Sequence, residues 1–167
     1  MPLLHVYDSS DWTIRETAWA RGGSHAKLPT ESIDAFIGGI DGLIATGQTF
    51  DRILFETHGN SGIIAFGNEV IDAAWWGGRP AGRRWYNLTT AYARVYFNGC
   101  NVAEGPEGWA FLEAVAAAFL TPGGGTVFGQ TSLGLANPFS GHVIHLWGSV
   151  RTLFVDYNGN ITERFEQ

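Results

Sequence analysis

Cysteine occurs once in the 167 residues, as Cys100. A single thiol excludes an intramolecular disulfide and a cysteine-built zinc centre of the usual kind. It leaves either an inert core residue or a reactive group. Positive charge is scarce too, with ten Lys and Arg against sixteen Asp and Glu and a net charge of −6. Nucleic-acid binding depends on clustered cations that neutralise phosphates. Only Arg79, Arg83 and Arg84 cluster, and a solvated loop accounts for them. No nucleic-acid partner is expected. Nowhere do about 18 uninterrupted apolar residues occur to span a bilayer. The opening "MPLLHVYDSS" also lacks the basic region and long apolar run of a signal peptide. The expectation is a cytoplasmic protein with no membrane partner, or a secreted one if the chain is excised from a larger surface protein. Repeats, charge runs and low-complexity segments are missing, so residues 1–167 read as a single domain.

What is present is ample material for a core: 45% apolar residues and 14% aromatics. "LLHVYDS" reads as a buried strand, and "DWTIRETAWARGGSHAKLP" after it as a long irregular loop of the kind that is often functional. In "TESIDAFIGGIDGLIATG", Ile33, Phe36, Ile37, Ile40, Leu43 and Ile44 fall on one helical face, with Thr30 or Ser32 as N-cap and Gly47 as C-cap. Gly38, Gly39 and Gly42 lower helix propensity, which suggests close backbone packing there. "DRILFET" is a nearly continuous apolar run, as expected of a strand covered on both faces of a parallel sheet.

"IIAFG" reads as a short strand, "EVIDAAWWGG" as a short helix or turn, and "ARVYFNGC" as a further buried strand. Phe111, Leu112, Val115 and Phe119 then mark a second long helix, which stops at Pro122 and the following glycines. "TVFGQTS" is the next strand. Strand and helix alternate up to residue 132, which predicts an α/β three-layer sandwich around a mostly parallel sheet. Asn158-Gly159 adds a C-terminal β-hairpin, expected to turn through a two-residue type I′ loop.

Several motif readings fail on their own terms. Asp156, Asn158 and Asn160 occupy the first, third and fifth places of a calcium loop, but Ile161 and Gln167 stand where glycine and glutamate are needed. His142 and His145, with His58, carry no nearby carboxylate or cysteine that would complete a metal site. "TPGGGT" follows a helix instead of opening one, so it is a stop and not a phosphate cradle. Neither metal nor cofactor is expected.

Two strands end in reactive residues. "ILFET" delivers His58-Gly59 and "RVYFNG" delivers Cys100. Ligands of open α/β sheets bind beyond the carboxyl ends of the strands, so neighbouring strands would bring both side chains to one rim. A thiol attacks as thiolate; a nearby imidazole favours that form and can later protonate a leaving amine. The glycine beside His58 lets substrate backbone approach, and the amides of Gly59 and Cys100 can donate to an oxyanion. Glu56, two residues before His58, shares its face by strand alternation and is a candidate to orient the imidazole.

"ILFETHGN" resembles the apolar strand and Ser/Thr-His-Gly block of the caspase-like (clan CD) cysteine peptidases, and "RVYFNGCN" resembles their second block, which closes on the catalytic cysteine. "GCNVAEGPEGWAFLEAVA", with its glycine-led helix, is closer to bacterial caspase-like domains, including the CHAT group, than to animal caspases. The resemblance spans roughly residues 3 to 132. It implies a caspase-like fold and a cysteine endopeptidase acting on a peptide or protein substrate, with His58 as general base and Cys100 as nucleophile. A catalytically inactive caspase-like domain, used for binding or scaffolding, is the alternative. Asn98 stands where that family often has Gln or Glu. Arg15 and Arg21 lie in the loop after the first strand, where caspases keep an arginine for an acidic substrate side chain. Arg21 is therefore the expected specificity residue.

Overall fold

Successive side chains of the first strand, β1 (Leu3–Asp8), alternate between faces and both sets are buried: Leu4 and Val6 point to one face of the sheet, His5 and Tyr7 to the other. That division organises the whole molecule. The computed structural model describes residues 1–80, 82–137 and 139–167. After β1 come α1 (Trp12–Ala20), β2 (Ala26–Thr30), α2 (Ile33–Ala45) and β3 (Phe50–Glu56). A small three-stranded sheet follows, formed by β4 (His58–Asn60), β5 (Ile63–Phe66) and β6 (Glu69–Asp72), and leads into the short helix α3 (Ala73–Gly78). Then come β7 (Thr89–Phe97), α4 (Gly105–Phe119), β8 (Gly125–Gln130), the β9 (Leu133–Asn137) and β10 (His142–Leu146) hairpin, and finally β11 (Val150–Val155) and β12 (Ile161–Glu166).

The central sheet has seven strands in the order β12-β11-β8-β7-β3-β1-β2. β2, β1, β3, β7 and β8 run parallel, while β11 is antiparallel to both β8 and β12. The expected mostly parallel α/β sheet is therefore present, and the C-terminal hairpin pairs as predicted. Its turn differs. Asp156 N donates to Asn160 O at 2.9 Å, Gly159 N to Asp156 O at 3.0 Å, and only Gly159 has positive φ, so the loop is longer than a two-residue type I′ turn.

Leu4, Val6, Ile53, Phe55, Val95, Phe97 and Val127 line the face that packs on α2, α3 and α4, in a core dominated by Phe36, Trp76, Trp85, Phe111 and Phe119. Phe55 and Phe97 stack at 4.7 Å across β3 and β7. In α2 the three glycines cost roughly 1 kcal/mol each against alanine. Burying Phe36, Ile37 and Ile40 returns about 1.5–3 kcal/mol per side chain, so packing decides the helix. Its N-cap is Ser32, and Gly47 (φ 71°) follows the C-cap Thr46. The glycines are not sites of backbone contact. A Cβ at Gly38 or Gly42 would meet nothing within 4 Å, and one at Gly39 would meet only the Leu28 side chain.

The segment expected to be an irregular loop is instead α1 and β2. Asp11 caps α1 by accepting from Ile14 N at 2.9 Å, and Ile14 and Ala18 pack on Tyr7 as a separate small core on the second face. Among the described residues α1 is the helix on that face. Over β7 and β8 the same face carries the stacked pair Tyr96 and Phe128, both half-buried. No helix among the described residues is long and apolar enough to cross a membrane.

Candidate active site

The chain passes from β1 through α1 to β2 on one side of β1, then through α2 to β3 on the other. Such a reversal leaves a crevice beyond the carboxyl ends of β1 and β3. A cavity of about 270 Å³ lies there, lined by residues that follow three adjacent parallel strands: Asp11 after β1, His58 after β3, and Asn98 and Cys100 after β7. β3 and β7 pair directly, with Phe55 opposite Phe97 and Asn98 N donating to Phe55 O at 2.9 Å. His58 and Cys100 are thus brought together by adjacent strands, as the sequence predicted.

Cys100 is held by its surroundings. Asn101 N donates to Ser132 O and Ala103 N to Gln130 O, each at 2.9 Å, which ties the cysteine loop to the end of β8. The thiol sulfur accepts from Gly134 N at 3.2 Å and lies 3.5 Å from Gly134 O, so the β9 strand grips it from above. Among the described residues the Cys100 amide donates to no acceptor. It remains available as a donor.

The two glycines of the paired blocks are required by the protein's own packing. A Cβ at Gly59 would lie 2.5 Å from Val102 Cγ2 and 2.9 Å from Cys100 O. One at Gly99 would lie 2.7 Å from the same Val102 methyl and 3.4 Å from Gly59 Cα. The space beside Gly59 is therefore filled by Val102 and the Cys100 carbonyl, and not kept open for substrate. Gly62 N donates to Val102 O at 3.0 Å and completes the clasp between the β4–β5 turn and the cysteine loop.

His58 is solvent-exposed and its Nε2 meets Asp11 Oδ2 at 3.1 Å, while Asp11 Oδ1 is occupied at the helix cap. Burial alone would raise the Asp11 carboxyl; the Ile14 amide and the His58 ring outweigh it and hold the group below the usual carboxylate range. Asp11 is thus the carboxylate that orients His58. Sequence reading missed it, although an aspartate directly before "WTIRE" is an N-cap signal. Among the described residues His58 and Cys100 share no hydrogen bond, although both line the cavity.

Glu56 lines the cavity but does not engage His58. It is buried, its Oε2 lies 2.7 Å from His5 Nε2, and Arg21 Nε approaches the same oxygen at 3.4 Å. Burial lowers the His5 pKa against the opposing pull of Glu56, so the ring is neutral near pH 7 and Arg21 supplies the compensating charge. Arg21 is committed to Glu56 and does not line the cavity. Arg15 is solvent-facing beside Glu16, at 3.6 Å. His142 and His145 lie three residues apart on β10 and so on opposite faces of that strand. Among the described residues no three His, Cys, Asp or Glu side chains group to hold a metal ion.

A mostly parallel α/β domain with its candidate site at the strand ends is the class that fold and site define. The chain belongs to the family described as "Domain of unknown function (DUF4347)", whose model matches residues 30–121. That span contains His58 and Cys100 but leaves Asp11, Arg21 and Gly134 outside it. No curated protein and no solved structure matches the chain.

Proposed function

We propose that this domain is a cysteine endopeptidase of caspase-like type, with Cys100 as nucleophile and His58 as general acid and base. The observation that carries the reading is the delivery of both residues, by adjacent parallel strands, to one cavity at the carboxyl edge of the sheet. Sγ of Cys100 attacks the scissile carbonyl carbon, and the thiol proton passes to His58. The resulting oxyanion accepts from the Cys100 amide, which donates to no other acceptor among the described residues. The C–N bond then breaks, the amine leaves with a proton from His58, and water hydrolyses the thioester to a carboxylic acid and the regenerated thiol.

A histidine that lines the same cavity without touching the sulfur suits this role, because catalytic contacts commonly tighten only once substrate is present. Asp11 serves as the positioning residue for His58. The reading carries a compartment expectation as well. A free catalytic thiol persists in the reducing cytoplasm, whereas a secreted module would need protection from oxidation.

One observation favours a second reading, a catalytically inactive domain used for binding: the polar contacts of His58 and Cys100 go to Asp11 and Gly134, not to each other. A positional peptide library separates the two. Cleavage by the parent under reducing conditions, absent in Cys100→Ala with its circular dichroism unchanged, is the expected result. Failure to cleave any peptide would leave the binding role, and cleavage that survives Cys100→Ala would remove the nucleophile assignment.

A further inference from the structure

The charge on the cavity wall runs against the acidic preference expected from Arg21. Two of the lining residues, Asp11 and Glu56, are acidic, and among the described residues none is Lys or Arg. Arg21 does not line the cavity and is ion-paired with Glu56, at 3.4 Å. Glu56 is 1% exposed, and of its two carboxylate oxygens Oε2 is the one with partners among the described residues. Among the described residues Oε1 meets no donor and the hydroxyl of the neighbouring Thr57 has no partner, and both atoms are buried. A carboxylate oxygen shielded from water and left without a donor is unfavourable, and a small shift of the Glu56 side chain that lets a ligand N–H reach it from the cavity removes that cost. Ile14, Leu135 and Val143 supply apolar walls beside it. A cationic head on an aliphatic stem matches that combination.

We propose that the cavity takes a lysine or arginine side chain, with Glu56 Oε1 as its acceptor and Thr57 Oγ1 as a second, so that peptides are cleaved after a basic residue. Only the final clause rests on the peptidase reading; recognition of the basic group rests on Glu56 and the cation-free wall. An acidic side chain would face Asp11 and Glu56 with no lining cation to receive it. Asp11 at the cavity adds attraction for a cation, since its carboxyl is ionised throughout the neutral range.

The test has two arms, so that the two readings fail separately. In the first, alkylation of Cys100 by iodoacetamide is followed by intact mass in the presence of n-butylguanidine or of butyrate. n-Butylguanidine should slow alkylation and butyrate should not. Glu56→Gln should weaken that protection by roughly tenfold or more, the range expected for loss of a charged hydrogen bond. Because Glu56→Gln also strips His5 and Arg21 of their partner and can disturb folding, Leu135→Lys is the second variant. Leu135 is 58% exposed yet lines the cavity, so a cation there repels n-butylguanidine without loss of core. In the second arm, peptides differing only in the residue before the cleaved bond should be cut after Lys or Arg roughly ten- to a hundredfold faster than after Asp. Equal protection by the two probes, protection by butyrate alone, no protection by either, or faster cleavage after Asp overturns the basic pocket. Protection by n-butylguanidine with no peptide cleaved supports the pocket and removes the peptidase.

Discussion

One oxygen of Asp11 caps α1 and the other meets His58, and the two roles can be separated by substitution. Asp11→Ala loses both, and loss of the cap should cost about 1 kcal/mol of stability in urea denaturation. Asp11→Ser restores a capping oxygen but cannot reach the imidazole. It should recover the stability and still cleave peptide more slowly than the parent, with the deficit in kcat. Full activity in Asp11→Ser would reduce Asp11 to a cap. Gly134 offers a second residue-scale test. A Cβ there would lie 2.8 Å from Val143 Cγ1 and 3.0 Å from His145 Cε1, so in Gly134→Ala either those side chains or the strand whose main chain holds the Cys100 sulfur must give way. Peptide cleavage should fall severalfold while the melting temperature barely moves, because the β9–β10 hairpin stands outside the central sheet. His58 and Cys100 were legible in the sequence because each closes an apolar run beside a glycine. Asp11 was not, since it meets His58 from 47 residues away and its local signal was absorbed into a supposed loop. The partners of Glu56 were hidden for a related reason: strand alternation gives a face, but it does not say which side chain of the neighbouring strand claims the carboxylate.

α1 and β2 escaped the sequence because their apolar residues do not track burial. Trp12 and Trp19 of α1 are 61% and 76% exposed, while the buried contacts come from Ile14, Thr17 and Ala18, a face too narrow to show as a helical period. β2 carries Lys27 and Pro29 and lies at the sheet edge, where a residue without an N–H is tolerated. β3, β7, α2 and α4 were legible for the opposite reason, since one face of each strand, through Ile53, Phe55, Val95 and Phe97, and the inner faces of those helices are buried against one core. The glycines of the helices were misjudged, and this can be measured. Gly38 and Gly42 are exposed in α2 with open space where a Cβ would go, so alanine at either should raise stability by about 0.5–1 kcal/mol through helix propensity. Gly108 in α4 is the reverse case. A Cβ there would overlap the Ala103 backbone just after the cysteine loop, and Gly108→Ala should destabilise by at least about 1–3 kcal/mol. Urea titrations of the three variants test both signs. Equal effects at Gly38 and Gly108 would refute the packing described for α4.

At the scale of the molecule, His5 on β1, Glu56 on β3 and Arg21 after α1 join the elements on either side of the chain reversal through one buried polar cluster. The cluster makes global stability depend on pH in a predictable direction. His5 has its pKa lowered from about 6.5 by burial. As pH falls below that value, the unfolded chain binds a proton that the folded chain refuses, so stability present above it is progressively lost. A second decline should begin near pH 4, where Asp11, Asp156 and Glu166, all held below the ordinary carboxylate range, bind protons in the unfolded chain before the folded one. For Asp156 the cause is chiefly the Asn160 side chain, joined by turn amides; for Glu166 it is Ser149 and Arg151. Urea denaturation at several pH values between 7.5 and 3 should therefore show two descending stages. His5→Gln keeps a hydrogen-bond donor toward Glu56 but has no proton to gain, so it should reduce the stage between about 6.5 and 5, to which His145, also lowered by burial, still contributes, and leave the acidic stage intact. Asp156→Asn should reduce only the acidic stage. An unchanged slope near pH 6 in His5→Gln would mean that the buried histidine is not what couples the two sides of the sheet to pH.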